Sequence, residues 1–403
     1  MIRRARLCLL CTLLLMLLCG CSGGQEIEDC LFVISMAVDP AEDGNLTVTV
    51  KALSGTREDA APQERTQQGN GAEENGGEES SNASPGAENT EPGYVVLSAT
   101  AQSCLSALDL LGATTPRTVN LSQLQEIVLA RALAETDAAF FILREIYALF
   151  EANGAAVVVV TPDNAGDFIR RQYAMFGVRL SQYLQVLFEH FEELGTIPSG
   201  ASLASVISAM QSSATDAAAV YAAQNDFGAT LLLDADSVTD RLPGHLPRTS
   251  PARNEYLGSA VFSGQRMVGT LTGDETIMLR LLRGEATATS FVLDGAMMQA
   301  KTRARVKRSV TQENGAMTLG VQIAMHLALS AGEMTGTDAQ LAARIEQSAV
   351  GVIQKLQAMG SDAAGFGEMA IRRFADIPAW EAYDWPTVYQ GAQVRAAVKM
   401  KID

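Results

Sequence analysis

The residues best placed to do covalent chemistry stand at the start of the chain. Leu18-Cys19-Gly20-Cys21 has the bacterial lipobox pattern, with Leu three positions before a Cys whose thiol can take a diacylglyceryl thioether before cleavage in front of it. Ahead of it, Arg3, Arg4 and Arg6 form a positive n-region, and Leu7 to Leu18 is an apolar run interrupted only by Thr12. Those twelve residues fall short of the about 20 that a spanning helix needs at about 1.5 Å rise each. Residues 1–20 therefore read as a lipoprotein signal peptide and Cys21 as a lipid anchor of the palmitate type. The mature chain is expected to be tethered to a membrane, since every later apolar run is short or broken by charge.

Elsewhere reactive residues are sparse. The chain has no Gly-x-Ser-x-Gly, no Gly-rich phosphate loop ending in Lys-Ser or Lys-Thr, no His-Glu-x-x-His and no acidic calcium loop. His190 falls on the expected apolar side of a helix, His245 in a Pro-rich stretch and His326 on the outer face of a strand, none with a Cys or carboxylate at metal-ligand spacing. The expectation is a protein that is not an enzyme and carries no metal or cofactor. Lys301, Arg303, Arg305 and Lys307 line one face of a strand candidate. Such charge protects a sheet edge, and it also has the chemistry for membrane or partner contact through anionic headgroups or an acidic surface.

Without the three signal-peptide arginines the chain has 27 basic and 46 acidic residues, a net charge of -19. That excess repels phosphate backbones and argues against nucleic acid as a partner. Part of it is local: residues 55–93 carry nine acids against two arginines and no Val, Ile, Leu, Met or aromatic residue. Such a segment cannot bury a core and reads as a disordered acidic loop. Cys30 and Cys104 are the cysteines left outside the signal and anchor. They can pair in an oxidising exterior, while the apolar context of each favours buried thiols.

The elements that would position these groups read as α+β. Leu31 to Val38 is an apolar run, and Leu46, Val48 and Val50 alternate with Thr47, Thr49 and Lys51 as in a half-buried strand. Strands at 94–98, 126–130 and 155–160 alternate with helices at 102–111 and 136–151, which makes an N-terminal α/β domain over 21–195. Leu180 to Leu194 is a helix with Tyr183, Val186, Leu187, His190 and Leu194 at helical spacing. A small middle segment and linker, with one more strand at 230–234, fills 196–255. The C-terminal α+β domain, 256–403, begins with a hairpin around Ser263-Gly264-Gln265 and a short helix at 274–283. It continues with strands at 287–293, 300–307 and 319–329. A long helix through Leu341, Ile345, Ala349, Val352, Leu356 and Met359 then precedes a last strand from Val394 to Ile402. An antiparallel sheet packed with that long helix satisfies these faces.

Several segments together carry a resemblance. Cys21 is followed by Glu26-Ile27-Glu28-Asp29 and by Phe32-Val-Ile-Ser-Met-Ala-Val38-Asp39. Later come Pro116-Arg117, Gly258-Ser-Ala-Val-Phe262 with Val268-Gly269, then Ser361-Asp362, Gly365-Phe366-Gly367-Glu368, Arg372-Arg373, Trp380 and Trp385. In this order they resemble the Ger(x)C lipoproteins, the C subunits of bacterial spore nutrient-germinant receptors. Three departures stand out: Ser22-Gly-Gly-Gln25 occupies the place of a Trp that often follows the lipidated Cys, Cys30 that of an apolar residue, and the acidic loop is long where the family has a Gly-rich or Ser-rich one. The resemblance implies a non-enzymatic subunit at the outer face of the spore inner membrane, working with integral-membrane A and B subunits in germination. The rival reading is a solute-binding lipoprotein of a transporter, which needs a concave site with convergent polar groups.

Overall fold

The computed structural model describes residues 27–54, 93–149, 152–225, 240–247, 253–285, 288–293, 296–313, 316–331 and 338–402. The first sheet has nine strands: β1 (Cys30–Pro40), β2 (Leu46–Leu53), β3 (Tyr94–Ala101), β4 (Thr118–Asn120), β5 (Glu126–Ala130), β6 (Val157–Thr161), β7 (Ala218–Gln224), β8 (Asn254–Ser263) and β9 (Arg266–Leu271). Their order is β3-β2-β1-β5-β6-β7-β8-β9, with β4 pairing alongside β1. The centre, β1-β5-β6-β7, is parallel, and antiparallel hairpins complete both sides. β5 and β6 are nearly continuous apolar runs because a central parallel strand is covered on both faces.

Helices supply that cover. On one face lie α1 (Cys104–Thr114), α3 (Ala138–Ala148) and α6 (Leu203–Met210), with α2 (Arg131–Ala134) a single turn after β5. On the other lie α4 (Ala165–Arg170) and α5 (Leu180–Leu194), whose Phe168, Leu180, Leu184 and Phe188 meet Ile34, Val128 and Val159. Ser103 caps α1 by accepting the Ser106 N–H, and Gly195, at φ 77°, ends α5 in the left-handed conformation that glycine adopts without a Cβ clash.

The second sheet contains β10 (Ala288–Leu293), β11 (Ala296–Glu313), β12 (Ala316–Ala331) and β13 (Gln393–Ile402) in that order. It is antiparallel through β12, as the sequence implied, and β13 then joins parallel to β12. A parallel neighbour requires a crossover. Here that crossover is the long helix α8 (Asp338–Met359) followed by the short α9 (Gly367–Ala370), α10 (Ile377–Glu381) and α11 (Trp385–Gln390). Leu319, Val321, Ile323, Met325 and Leu327 of β12 point into a core shared with Leu341, Ile345, Ala349, Val352 and Leu356 of α8.

The sheets do not divide at residue 256. The hairpin β8–β9, expected in the C-terminal domain, pairs onto β7 and completes the first sheet. It leads directly into α7 (Gly273–Arg283), whose Met278, Leu279, Leu281 and Leu282 belong to the second core. Thr272 and Glu275 form a capping box at the start of α7, which fixes its angle to the hairpin. Gly258 sits at this junction with φ +87°, and a methyl there would overlap the Leu271 carbonyl oxygen. Gly258→Ala is expected to destabilise the fold by about 2–4 kcal/mol, from left-handed strain and overlap together. A fall in thermal midpoint read by circular dichroism checks it; an unchanged midpoint would mean that the β8–β9 junction tolerates a shift.

Other expectations are corrected locally. Lys51 was expected on a solvated strand face and is instead fully buried, because α4 and the chain after it cover that side of β2. The helix expected over 136–151 begins at Ala138, separated from the short turn α2. The strand expected at 230–234 and the acidic loop over 55–92 lie outside the described residues.

Candidate functional site: an apolar cleft and a buried latch

Among the described residues, two of the buried concentrations of polar side chains join separate elements of the fold, and an open cleft adjoins the first. Glu126, at the start of β5, is fully buried. Its Oε1 accepts from Ser35 Oγ at 2.9 Å and from Gln172 Nε2, and its Oε2 accepts from Tyr256 OH at 3.2 Å. The Lys51 ammonium donates to the Gln172 carbonyl and stands 5.6 Å from the centre of the Tyr94 ring. Burial pushes the Glu126 carboxyl above its ordinary range, while its three donors and the Lys51 charge pull the other way. These groups satisfy one another within the layer between the sheet and α4–α5, where they lock the register of β1, β2, β5 and β8.

Gln172 and Tyr256 also form the inner wall of a cleft of about 350 Å³ between α5, the chain at 171–175 and the start of β8. Tyr183, Leu187, Phe191 and Leu194 of α5, with Leu246 and Leu257, make it chiefly apolar, and the exposed Arg171 and Arg253 stand on its lining. The apolar face of α5 is thus wider than the part that the sheet covers. Leu180, Leu184 and Phe188 are buried, whereas Val186 and His190, expected with them, are exposed.

The second concentration joins the two sheets. Asp362, in the turn after α8, accepts the Phe366 N–H at 2.9 Å on Oδ1, and the Gly367 N–H at 2.6 Å and Trp385 Nε1–H at 3.0 Å on Oδ2. Its own N–H donates to Asp216 Oδ2 at 2.7 Å, and Asp216 Oδ1 accepts the Gly264 N–H at 2.7 Å. Asp216 precedes β7 and Gly264 turns the β8–β9 hairpin, so the two carboxylates tie the second core to the edge of the first sheet. Arg308 of β11 donates to the Ala364 and Gly365 carbonyls, and Arg283 of α7 to the Ala363 carbonyl at 2.8 Å. Gly367 is obligatory for a steric reason: a Cβ there would lie 2.5 Å from Ala214 O and 2.7 Å from Trp385 Nε1. Trp380 is held by Nε1–H to Ser213 Oγ at 3.0 Å and stacks at 5.9 Å from Trp385. Asp39 repeats the device at the other end of the chain, accepting the Ala165 and Gly166 N–H groups at 2.7 and 2.8 Å.

Burial pushes the Asp362 carboxyl up to about 7, against the three N–H donors that favour its ionised form; the neighbouring Asp216 carboxyl is also raised, chiefly by burial. A carboxyl whose pKa is raised on folding contributes stability that is full below its unfolded value, near 3.8, and lost as pH climbs through the folded value. The latch should therefore hold better at pH 5.5 than at pH 8. Thermal melts of the native protein and of Asp362→Asn at both pH values test this, with the pH difference expected to shrink in the variant. An equal difference in both would assign the pH dependence to other groups.

Of the residues singled out in the sequence, Cys21 lies outside the described residues. Lys301, Arg303, Arg305 and Lys307 all fall on β11, opposite Ala328, His326, Ala324 and Gln322 of β12. β10 pairs with β11 only as far as Lys301, so the other three occupy a stretch whose outer side no described strand covers. Arg305 and Lys307 are exposed there. His190, His245 and His326 are exposed, and no group of described His, Cys, Asp or Glu side chains is arranged to hold a metal. Cys30 and Cys104 are buried and not bonded to each other. Burial pushes the Cys104 thiol up to about 12, which keeps it protonated. Sequence reasoning missed Lys51, Glu126, Gln172 and Tyr256 as one network, because they come from segments up to 205 residues apart.

Comparison with known proteins places this architecture in a class of spore germination proteins. The model described as "Spore germination protein N-terminal domain" matches residues 23–223, and that described as "Spore germination B3/ GerAC like, C-terminal" matches residues 257–403. The chain belongs to the GerAC-like spore germination family, matched by both models in order over most of its length. A solved structure titled "Crystal Structure of the GerBC protein" aligns with 94% of this chain and 99% of its own, at 13% identity and a TM-score of 0.48. No curated protein sequence matches. Among the described residues, no helix is long and apolar enough to cross a membrane.

Proposed function

We propose that this chain is the C subunit of a spore nutrient-germinant receptor, tethered through acyl chains on Cys21 at the outer face of the spore inner membrane. It acts there as a binding and coupling subunit beside integral-membrane A and B subunits. The observation that carries this reading is the consecutive match of both family models along one chain. The geometry is consistent with it: Asp39, Glu126, Asp216 and Asp362 are engaged in holding layers together, and the latch converts two sheets into one body that can transmit a displacement. The basic stripe on β11 acts in this view as edge protection.

The test is recovery of the tagged protein from detergent-solubilised spore membranes and identification of what co-purifies. Two multi-pass receptor subunits are the expected partners. Transporter components in their place would move the chain to the solute-binding lipoproteins, and recovery of neither would remove the complex from the reading.

A further inference from the structure

Exposed large apolar side chains are unevenly spread over this protein. Of the eleven among the described residues, five (Met175, Phe176, Val178, Val186 and Leu194) fall between residues 175 and 194. Phe176, at 68% exposure, is the most exposed of all. Met175, Phe176 and Val178 form the tip of the loop that enters α5, and Gly177 lies among them. The tip is continuous with the cleft: Met175 lines it, and the Phe176 ring lies 6.4 Å from the ring of Tyr183, which lines it too.

Charge accompanies this surface. Arg171 and Arg179 flank the tip, Arg253 stands on the cleft lining, and all three are exposed. Glu189, Glu192 and Glu193, also exposed, occupy the far end of α5. The helix is therefore polarised, with cations and bare apolar groups at its start and anions at its end. An exposed apolar tip flanked by arginines matches a bilayer interface, where apolar groups enter the acyl region and guanidinium groups stay at the level of anionic phosphates. A cleft of about 350 Å³, chiefly apolar inside, with the exposed Arg171 and Arg253 on its lining and the buried Glu255 carboxylate engaged by Asn225 Nδ2 and the Gly244 N–H, has the chemistry of a site for one amphiphile whose anionic head lies at the arginines.

We propose that the Met175–Val178 tip and the cleft beside α5 form a lipid-binding surface that inserts into an anionic membrane and admits an acyl chain of an anionic lipid. This rests on the germination-family reading only in that a membrane is close at hand. The glutamate end of α5 points away from the headgroups, so the surface sets the orientation of the protein as well as adding to its hold.

The experiment uses residues 22–403, which contain every described residue and lack the acylated Cys, so that any binding comes from the folded surface. Co-sedimentation is measured with vesicles of phosphatidylcholine alone and with vesicles containing phosphatidylglycerol. The expected result is binding to the anionic vesicles, weakened at least tenfold by Met175→Ser, Phe176→Ser and Val178→Ser together, with melting unchanged because these side chains are already exposed. Leu187→Trp, which fills the cleft, is expected to abolish uptake of a fluorescent fatty acid while vesicle binding persists through the tip. Absence of vesicle binding, or binding indifferent to the tip substitutions, overturns the proposal. So does loss of binding only on charge reversal of Lys301, Arg303, Arg305 and Lys307, which moves the contact to β11. If the tip variants bind vesicles normally but fail to co-purify with membrane subunits, the surface is a protein-docking site and the lipid assignment falls. The vesicle assay contains no receptor subunits, so its failure leaves the germination reading standing, and failed co-purification leaves the lipid result standing.

Discussion

Replacing Asp362 with alanine is expected to lower the stability of the protein by at least about 3 kcal/mol, the largest effect of any single side-chain truncation at the sheet-to-sheet junction. Its two oxygens satisfy three donors: the Phe366 and Gly367 N–H groups and the Trp385 indole. Each buried donor left without an acceptor costs about 1–3 kcal/mol. Relaxation is blocked, because Gly367 lies against Ala214 and Trp385 packs against both Trp380 and Tyr389. Asp362→Asn keeps an acceptor oxygen but turns an NH2 toward donors, so an intermediate loss is expected. Denaturant unfolding of native, Asn and Ala forms measures the series. A second signature separates a latch from ordinary packing: the Ala form should unfold in two transitions, as the sheets lose their tie. A single transition with less than about 1 kcal/mol lost would show that the apolar contacts of Ala218, Val261 and Leu271 with the second core suffice.

Cys21→Ala is expected to abolish incorporation of labelled palmitate, to move the protein out of the membrane fraction, and to slow the germination response roughly tenfold or more. Burying an acyl chain contributes about 0.8 kcal/mol per methylene, so two chains hold stably where one is marginal. The unacylated leader offers only the run from Leu7 to Leu18, too short to span. In the proposed mechanism a tether would act through effective concentration: a folded body confined near its partners meets them far more often than one free in solution, without any new contact. Persistence of membrane fractionation and of normal germination in Cys21→Ala spores would remove the tether from the mechanism. The lipid surface beside α5, weaker than a double acyl anchor, is expected to leave only a residual membrane-bound fraction.

Much of this architecture is legible where the pattern is local. The alternation from Leu319 to Leu327 names the buried face of β12, the three-four spacing from Leu341 to Leu356 names that of α8, and Ser263-Gly264-Gln265 marks the β8–β9 turn. What escapes is set by distant chain. Lys51 alternates like a solvated residue, yet α4 covers its side of β2, and a cation pattern cannot reveal a neighbour contributed 121 residues later. The pairing of β8 with β7 has no sequence cue either, since a strand buried on both faces between two neighbours carries an apolar run that suits any sheet interior. The latch is half legible: Asp362, Phe366 and Gly367 lie within one turn, and the resemblance singled them out. Asp216, 146 residues earlier, did not stand out, because a carboxylate on a surface loop and one under a second sheet read alike.

The placement of the β8–β9 hairpin sets the order in which the first sheet can close. β7 is complete at Gln224, but the strand that covers its outer ladder begins only at Asn254 and its hairpin closes at Leu271. Until that hairpin has docked during folding, the first sheet presents β7 as a bare, apolar ledge. Newly made chains are most exposed to mispairing during that interval. A protein interrupted at residue 256 would keep that ledge permanently, and its remaining piece would begin inside a strand cut off from its mate.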